Sequence, residues 1–268
     1  MPELPEVDSY RTGLDKMIKG WKLKGGRSIW QKACIDDFSI VKDQKIKGFD
    51  RRGKYLIINL SRNHIIIHLR MTGRIDVGLV TPKYTTVEFD FENGQKMCLV
   101  DYRKFGRVWI VDDANPIVNH LGIEPLSTEF TIEKFRKLIE RRSGTIKPLL
   151  LNQSFIAGIG NYLADEILFR SSIHPLRKAN TLKDKEIKDL YEEIEPYTVT
   201  TIESVAALVK SVEYIINNKL EGDFVECGVW KGGSCMMIAN TLLKNDQKNR
   251  ELWPVSYTHL TLPTNREV

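Results

Sequence analysis

The spacing of apolar residues near the start of the chain predicts an amphipathic helix. Between residues 7 and 18 they recur three or four positions apart, which places them on one helical face. These positions are Val7, Tyr10, Leu14, Met17 and Ile18. Gly20 follows and is a suitable end for the helix, because glycine readily adopts the backbone conformation that terminates helices.

Short runs rich in β-branched and aromatic residues come next and predict strands. Turn sequences such as Glu92-Asn93-Gly94 separate these runs. The predicted strands are Lys54–Leu60, His64–Leu69, Thr85–Phe91, Cys98–Val100 and Arg107–Val111. We therefore expect an antiparallel β-sandwich flanked by one helix over residues 1–118.

The period of the apolar residues becomes helical after residue 130, which predicts an all-α domain over residues 124–195. The predicted helices are Thr131–Arg141, Ile146–Asn152, Asn161–Ser171 and Leu182–Ile194. Gly158 and Gly160, in the segment SFIAGIGNY, directly precede the third of them. Such a helix start leaves backbone N–H groups free to bind an anion.

The last part of the chain has a different pattern. In residues 196–245 a predicted helix, Thr201–Asn217, is followed by a strand, a glycine-rich turn and a helix start in the segment GDFVECGVWKGGS. Residues 246–268 show no periodicity, and we predict an unstructured tail there. The sequence thus predicts an α+β protein that ends in an incomplete βα fragment.

Composition favours a soluble, cytoplasmic protein with no membrane partner. The 268 residues are 42% hydrophobic and 28% charged, and no apolar run approaches the ~20 residues of a membrane span. The start of the chain also lacks the pattern of a secretory signal. Four irregularly spaced cysteines form no CxxC pair, as expected for reduced thiols.

The net charge of +5 is concentrated in the first part of the chain. Residues 196–268 hold 7 Lys and Arg and 8 Asp and Glu, which leaves 33 and 27 in residues 1–195. This excess is a mild indication of a polyanionic partner for that part.

The opening segment, MPELPEV, allows two interpretations. Proline and carboxylates suit the first turn of a surface helix, so Pro2, Glu3 and Glu6 could simply begin one. Alternatively, the terminus itself is a reactive group. Its position alone does not decide between them.

Basic and apolar residues also lie together in several predicted turns. Lys54 follows Arg51 and Arg52 at the head of a strand, and HLRMTG and DYRKFG place three further candidates, Met71, Arg103 and Phe105, in turns. Such turns on one rim of a sandwich could contact a phosphate backbone and insert apolar side chains into a duplex. The alternative is that the apolar residues cap the core and the arginines are solvated.

Seven segments, in this order, closely resemble the formamidopyrimidine-DNA glycosylase family. They span residues 1–195 and are MPELPEV, RRGKYLI, IIIHLRMTG, DYRKFG, LGIEPLS, IKPLLLNQ and GIGNYLADEILFRSSIHPLR. The segment MPELPEV, with Leu4, is similar to the branch of the family that acts on oxidised purines. The resemblance implies a helix-two-turn-helix DNA-binding domain at residues 124–195. It also implies a monomeric, nucleoid-associated repair enzyme, a DNA glycosylase and AP lyase for 8-oxoguanine and formamidopyrimidines in damaged double-stranded DNA.

The resemblance implies catalytic roles for four residues. Removal of Met1 would leave Pro2 as a secondary amine, partly unprotonated at neutral pH, that attacks C1′ of the damaged nucleotide and forms a Schiff base. Glu3 would protonate the sugar ring oxygen or relay protons, and Glu6 would help to hold the terminus. Lys54 matches the family's essential lysine, which contacts phosphate. The resulting iminium acidifies the sugar, so that β- and then δ-elimination cut the strand.

The resemblance also implies DNA contacts. Met71, Arg103 and Phe105 match the residues that fill the space of the flipped-out base, with Arg103 facing the orphaned partner base. Further DNA-contact positions of the family correspond to Arg142, Lys147 and Asn161. Tyr84 stands where a DNA-contacting histidine is often found, so that contact is not expected with the same chemistry.

The family's C-terminal zinc finger has no counterpart here. It needs two CxxC pairs, whereas Cys227 and Cys235 are separated by seven residues and no second pair exists. We therefore expect no metal site and no cofactor. The finger's arginine and the loop that closes over 8-oxoguanine are missing as well, so damage recognition, DNA affinity and δ-elimination should be weakened.

Residues 195–243 instead resemble the start of the macrocin O-methyltransferase (TylF-like) family. Its S-adenosylmethionine loop would correspond to Glu226, Gly228, Gly232 and Gly233. About 50 residues of that family are too few for a doubly wound sheet, so we expect no functional cofactor site and no methyl transfer.

Both resemblances stop in the middle of a domain, which favours a chimeric chain, with residues 254–268 resembling an artefactual tail. A natural fusion with a degenerate end is the alternative. Three functions remain open in this order: a glycosylase and lyase with impaired activity, a DNA-binding fragment without catalysis, and a methyltransferase fragment.

Overall fold

The computed structural model describes residues 2–194, 202–227, 233–247 and 249–255. The chain divides into two compact units, Met1–Tyr197 and Thr198–Val268. Within the described ranges, no helix combines the length and the apolar character needed to cross a membrane.

The first unit begins with helix α1 (Leu4–Ile18) and a β-sandwich. The strands are β1 (Leu23–Ser28), β2 (Ile46–Arg52), β3 (Tyr55–Leu60), β4 (His64–His68), β5 (Arg74–Gly78), β6 (Thr85–Phe91), β7 (Lys96–Val100) and β8 (Arg107–Val111). They form two antiparallel four-stranded sheets with the orders β1-β6-β7-β5 and β2-β3-β4-β8. The predicted sandwich flanked by one helix is thus confirmed.

Three strands, β1, β2 and β5, are absent from the sequence prediction. β1 (LKGGRS) buries only Leu23, and β5 (RIDVG) buries only Ile75. Because each buries a single side chain and contains glycine, neither shows the apolar alternation that identifies a strand.

The apolar residues of the sandwich form two clusters. Between the sheets, the inner face of α1, including Val7, Leu14 and Ile18, packs on strand residues such as Leu56 and Phe89. On the outer face of the second sheet, Ile57 and Ile66 pack against Val118, Leu121 and Ala157 of the segments that follow. β3 and β4 are therefore buried on both faces, which explains their nearly continuous apolar sequence.

The helical part of the first unit contains α2 (Asn115–Val118), α3 (Ile132–Glu140), α4 (Ile146–Leu151), α5 (Asn161–Arg170) and α6 (Asp184–Ile194). The bounds of α3 to α6 lie within two residues of the prediction. Their core includes Phe135, Ile167 and Leu190, and Leu4 of α1 also packs into it. The first residue of α1 thus belongs to the core of the helical part.

The second unit contains α7 (Ile202–Asn217), β9 (Phe224–Cys227), α8 (Gly233–Lys244) and β10 (Leu252–Val255). β10 runs parallel to β9, with Leu252 opposite Phe224. The prediction that residues 246–268 are unstructured is therefore wrong for residues 252–255, and residues 256–268 lie outside the described ranges. A strand of four residues is too short to show a period, and its pairing with β9 supplies the backbone partners that define it.

Candidate active site

The start of the chain is fixed to the start of helix α5 by the carboxylate of Glu3. Oε2 of Glu3 accepts hydrogen bonds from the backbone N–H groups of Gly160 (2.9 Å) and Leu163 (3.1 Å), and Oε1 accepts one from Tyr162 (3.0 Å). The N–H of Leu4 donates to the carbonyl of Gly158 at 3.1 Å. Glu3 is 2% exposed. A negative side chain thus satisfies the N–H groups at the positive end of α5.

The predicted free N–H groups at this helix start are not free. Three of them bond to Glu3, so the anion is a carboxylate of the same chain, and the expectation of an external anion at those groups is wrong. Both glycines are needed for this approach. A Cβ at Gly160 would lie 2.2 Å from Cδ of Glu3, and one at Gly158, where φ is +94°, would lie 2.6 Å from Cδ1 of Leu4.

Glu6 also holds the start of the chain in place. Its Oε2 accepts a hydrogen bond from the backbone N–H of Glu3 at 2.8 Å. Pro2, directly before, is half-buried. The interpretation of MPELPEV as a helix start is therefore correct. It is compatible with a reactive terminus, because Pro2 lies at the end of a segment that these hydrogen bonds fix.

Lys54 lies in the tight turn between β2 and β3 and close to this terminus. Burial lowers the pKa of its ammonium group, and the neighbouring carboxylates of Glu3 and Glu6 partly oppose that shift. The side chain is half-buried, so its charge is partly removed from water. Three of the four predicted catalytic residues, Glu3, Glu6 and Lys54, thus lie within electrostatic range of one another, and Glu3 directly follows Pro2 in the chain.

Glu124 holds the turn that carries Lys54. Its carboxylate accepts hydrogen bonds from Nη1 of Arg51 (2.7 Å), Nη1 of Arg52 (3.0 Å) and the backbone N–H of Gly53 (2.8 Å). The prediction that Arg51 and Arg52 contact phosphate is not supported by this geometry, because both pair with Glu124. Glu124 has no local signal in the sequence that would single it out, because it is 71 to 73 residues from its partners.

His68, at the end of β4, is a second residue that sequence analysis missed. Burial lowers its pKa to about 3, and the positive charges of Arg70 and Lys54 add to the shift. The backbone N–H of Arg70 donates to Nδ1 at 3.1 Å. A neutral imidazole whose Nδ1 is an acceptor carries its proton on Nε2. His68 is therefore a neutral hydrogen-bond donor within electrostatic range of Lys54.

Met71, Arg103 and Phe105 lie in turns and are exposed. Met71 and Phe105 are each 45% exposed, so the alternative that they cap the core is wrong. The guanidinium of Arg103 lies 4.8 Å from the centre of the Phe105 ring. The carboxylate of Asp101 accepts bonds from the N–H groups of Arg103 (3.1 Å) and Phe105 (2.7 Å), which fixes the shape of this turn.

The predicted contact residues of the helical part belong to different elements: Arg142 follows α3, Lys147 lies in α4 and Asn161 begins α5. Arg142 is exposed, with its guanidinium 5.8 Å from the ring of Phe155, and it lines an open cleft that Lys137 and Arg141 also line. Lys147 pairs with Asp165 at 2.6 Å, and Asn161 is the exposed first residue of α5. Their DNA contacts remain predictions.

The residues of the described ranges do not fit a zinc finger. No group of three or more His, Cys, Asp or Glu in those ranges could hold a metal ion, and Cys235 is buried. Of the methyltransferase-like loop, Gly228 and Gly232 lie outside the described residues, Glu226 is in β9 and Gly233 begins α8.

Family models match most of the chain. That of the formamidopyrimidine-DNA glycosylase N-terminal domain matches residues 1–108, and that of the H2TH domain of the same enzymes matches residues 121–213. The model of macrocin-O-methyltransferase (TylF) matches residues 174–267 and overlaps the second of these.

Individual relatives give the same result. The formamidopyrimidine-DNA glycosylase of Pelotomaculum thermopropionicum is 40% identical over 84% of this chain and 86% of that protein. The one from Protochlamydia amoebophila is 42% identical over 72% and 74%. Crystal structures of Lactococcus lactis Fpg with DNA containing FAPY-dG or an abasic site are 30% identical to this chain, with a TM-score of 0.67. In both cases the match covers 72% of this chain. It covers 77% of the Fpg chain in the complex with FAPY-dG and 75% of the Fpg chain in the complex with an abasic site. The chain therefore belongs to the formamidopyrimidine-DNA glycosylase family, which consists of DNA glycosylase/AP lyase enzymes.

Proposed function

We propose that this chain is a monomeric base-excision-repair enzyme that removes oxidised purines from double-stranded DNA and cuts the strand through a Schiff base on Pro2. The observation that carries the proposal is the anchoring of the terminus by Glu3 on α5, beside Lys54. An N-terminal amine is a useful nucleophile only if its position is fixed, because a freely moving terminus rarely meets the reacting atom.

The chemistry requires Met1 to be removed, which exposes the secondary amine of Pro2. Its lone pair attacks C1′ of the damaged nucleotide, the bond from C1′ to the base breaks, and the base leaves with the bonding pair and a proton. The nitrogen then gives up its proton, its lone pair breaks the bond from C1′ to the ring oxygen, and that oxygen takes up a proton, which leaves an iminium at C1′. Loss of a proton from C2′ then expels the 3′ phosphate by β-elimination.

The surrounding residues supply proton transfer and phosphate contacts. We assign proton relay to Glu3 and Glu6, the two carboxylates that follow Pro2 in the chain; Glu3 would act while its oxygens accept the N–H groups of α5. Lys54 and the Nε2–H of His68 are neighbouring donors suited to one phosphate of the damaged strand. Arg142, Lys147 and Asn161 are proposed to bind the backbone, while Met71, Arg103 and Phe105 enter the duplex and replace the flipped-out base.

We assign no step to a metal ion or to the second unit. The donor atoms of the described residues do not form a zinc site, so we expect β-elimination to proceed without zinc. We expect δ-elimination to be slow, because the described residues do not form the zinc finger whose arginine takes part in that step in the family.

The test uses a duplex with one 8-oxoguanine opposite cytosine. We expect release of the free base and a strand break that ends mainly in the β-elimination product, and EDTA should not change either rate. Duplex binding without base release would overturn the enzymatic proposal and support the DNA-binding alternative. A dominant δ-elimination product would contradict the expected effect of the missing finger.

A further inference from the structure

Two turns of the sandwich, both carrying residues proposed to enter the duplex, are joined by one buried carboxylate. Asp101 is 1% exposed. Its Oδ1 accepts hydrogen bonds from the hydroxyl of Thr72 and the N–H of Arg103, and its Oδ2 accepts from the N–H groups of Phe105 and Gly106, both at 2.7 Å. Thr72 follows Met71 directly, so the carboxylate connects the two turns through side chain and backbone.

The four donors use the whole hydrogen-bonding capacity of the carboxylate. An ionised carboxylate has two oxygens and about four lone-pair positions, and it accepts without donating. An asparagine in its place would turn an amide N–H₂ group toward N–H donors. Neither a shorter nor a neutral side chain could therefore hold both turns in the same way.

The backbone around this carboxylate is strained. Arg70 (φ +57°), Tyr84 (φ +68°) and Lys104 (φ +59°) all adopt the left-handed conformation that non-glycine residues avoid. Arg70 precedes Met71, Lys104 lies between Arg103 and Phe105, and the carbonyl of Tyr84 accepts the N–H of Asp101 at 3.0 Å. Such strain persists only where surrounding contacts hold it.

We propose that Asp101 is the positioning residue of the duplex-inserting side chains. Through Thr72 it couples the turn of Met71 to the turn of Arg103 and Phe105, so that the three side chains enter the duplex as one unit at fixed spacing. The inference rests on the proposed function. It concerns insertion into a duplex and not the reaction of Pro2 itself.

The test separates these two steps by comparing substrates. The rate of borohydride trapping is measured on an abasic site in a duplex, where a space must be filled, and on the same site in a single strand, where no partner base exists. The quantity compared is the rate on the duplex divided by the rate on the single strand, determined for each protein. Because both rates come from the same preparation, the fraction of folded protein cancels.

Thr72 is the better position for substitution, because Asp101→Asn could prevent folding. Thr72→Val keeps the shape and removes the hydroxyl, and it should lower the ratio about tenfold, the equivalent of one hydrogen bond to a charged group. Thr72→Ser restores the hydroxyl and should restore the ratio. Thr81→Val is the matched control, since it removes a 2.7 Å hydroxyl bond to the buried carboxylate of Glu88, and its ratio should stay within about twofold of the wild type.

Four results are decisive. A wild-type ratio for Thr72→Val, or the same loss for Thr81→Val, would overturn the positioning role. Failure of Thr72→Ser to recover the ratio would do so as well. Absence of trapping by the unchanged protein on both substrates would instead refute the proposed function.

Discussion

The carboxylate of Glu3 accepts a hydrogen bond from the backbone N–H of Gly160, 157 positions later in the chain, at 2.9 Å. Two further N–H groups of the same helix start, those of Tyr162 and Leu163, share this carboxylate. The terminus of the sandwich and the first turn of α5 are thus one structural element. A substitution in either segment should therefore displace the other segment as well.

Substitution of Gly160 by alanine should therefore displace the terminus. The added Cβ would lie 2.2 Å from Cδ of Glu3, so either the carboxylate or the start of α5 must move. We expect Gly160→Ala to lower the free energy of unfolding by about 2 kcal/mol or more and to abolish borohydride trapping. Gly144→Ala is the control, because nothing lies within 4 Å of a Cβ there. Normal trapping by Gly160→Ala would contradict the coupling.

Loss of the Glu124 carboxylate should loosen the turn of Lys54. Arg51, whose side chain is 6% exposed, would lose the nearer of its two carboxylate partners, at 2.7 Å, and keep only Asp8 at 3.3 Å. We expect Glu124→Gln to lower the free energy of unfolding by about 2 kcal/mol, measured by urea unfolding. We also expect it to lower the trapping rate of the protein that remains folded. Glu129→Gln breaks only the exposed pair with Lys134 and should cost less than about 0.5 kcal/mol. Equal effects of the two substitutions would argue against the proposed role of Glu124.

Stability should depend on the protonation of His68 in acid. The folded pKa of about 3 lies below the ~6.5 of an unfolded histidine, so between these values the unfolded chain binds a proton that the folded one does not. The free energy of unfolding should therefore fall as the pH drops below about 6.5. His68→Asn, which keeps an acceptor for the N–H of Arg70, should reduce the difference in stability between pH 7.5 and 5.

His174→Asn is the control for this pH dependence. His174 is exposed and accepts the same kind of bond, from the N–H of Leu176 at 3.2 Å. The His174→Asn protein should keep the wild-type dependence of the free energy of unfolding on pH. An unchanged slope in His68→Asn would show that His68 is not held in its neutral form by the fold.

Metal analysis should find no stoichiometric zinc in the purified protein. Cys227 and Cys235 do not form a CxxC pair, and the described residues offer no set of three ligands. Prolonged dialysis against EDTA should leave both the midpoint of thermal unfolding and the trapping rate unchanged. One bound zinc per chain, or loss of activity on dialysis, would contradict this expectation.

The elements with regular apolar patterns could be predicted from the sequence, and so could the residues in short motifs. α3 to α6, β3 and β4 fall close to their predicted bounds because each buries a periodic set of side chains. Pro2, Lys54, Met71 and Phe105 were found through motifs, and the structure places the last two on exposed turns.

The long-range contacts that hold these motifs in place could not be predicted. Glu124 is more than 70 residues from its arginine partners, Asp101 is 29 from Thr72, and Glu3 is 157 from Gly160. A single carboxylate in sequence gives no sign of which distant N–H groups it will meet. The same reasoning explains why the free N–H groups expected before α5 turned out to be occupied.

The central claim is that Pro2, held by Glu3 against α5, is the nucleophile. The most direct measurement is borohydride trapping on a duplex with one abasic site, followed by mass spectrometry of the proteolysed adduct. We predict one covalent adduct per chain, on an N-terminal peptide that begins at Pro2. An adduct on a lysine, or an unmodified terminus after trapping, would contradict the claim.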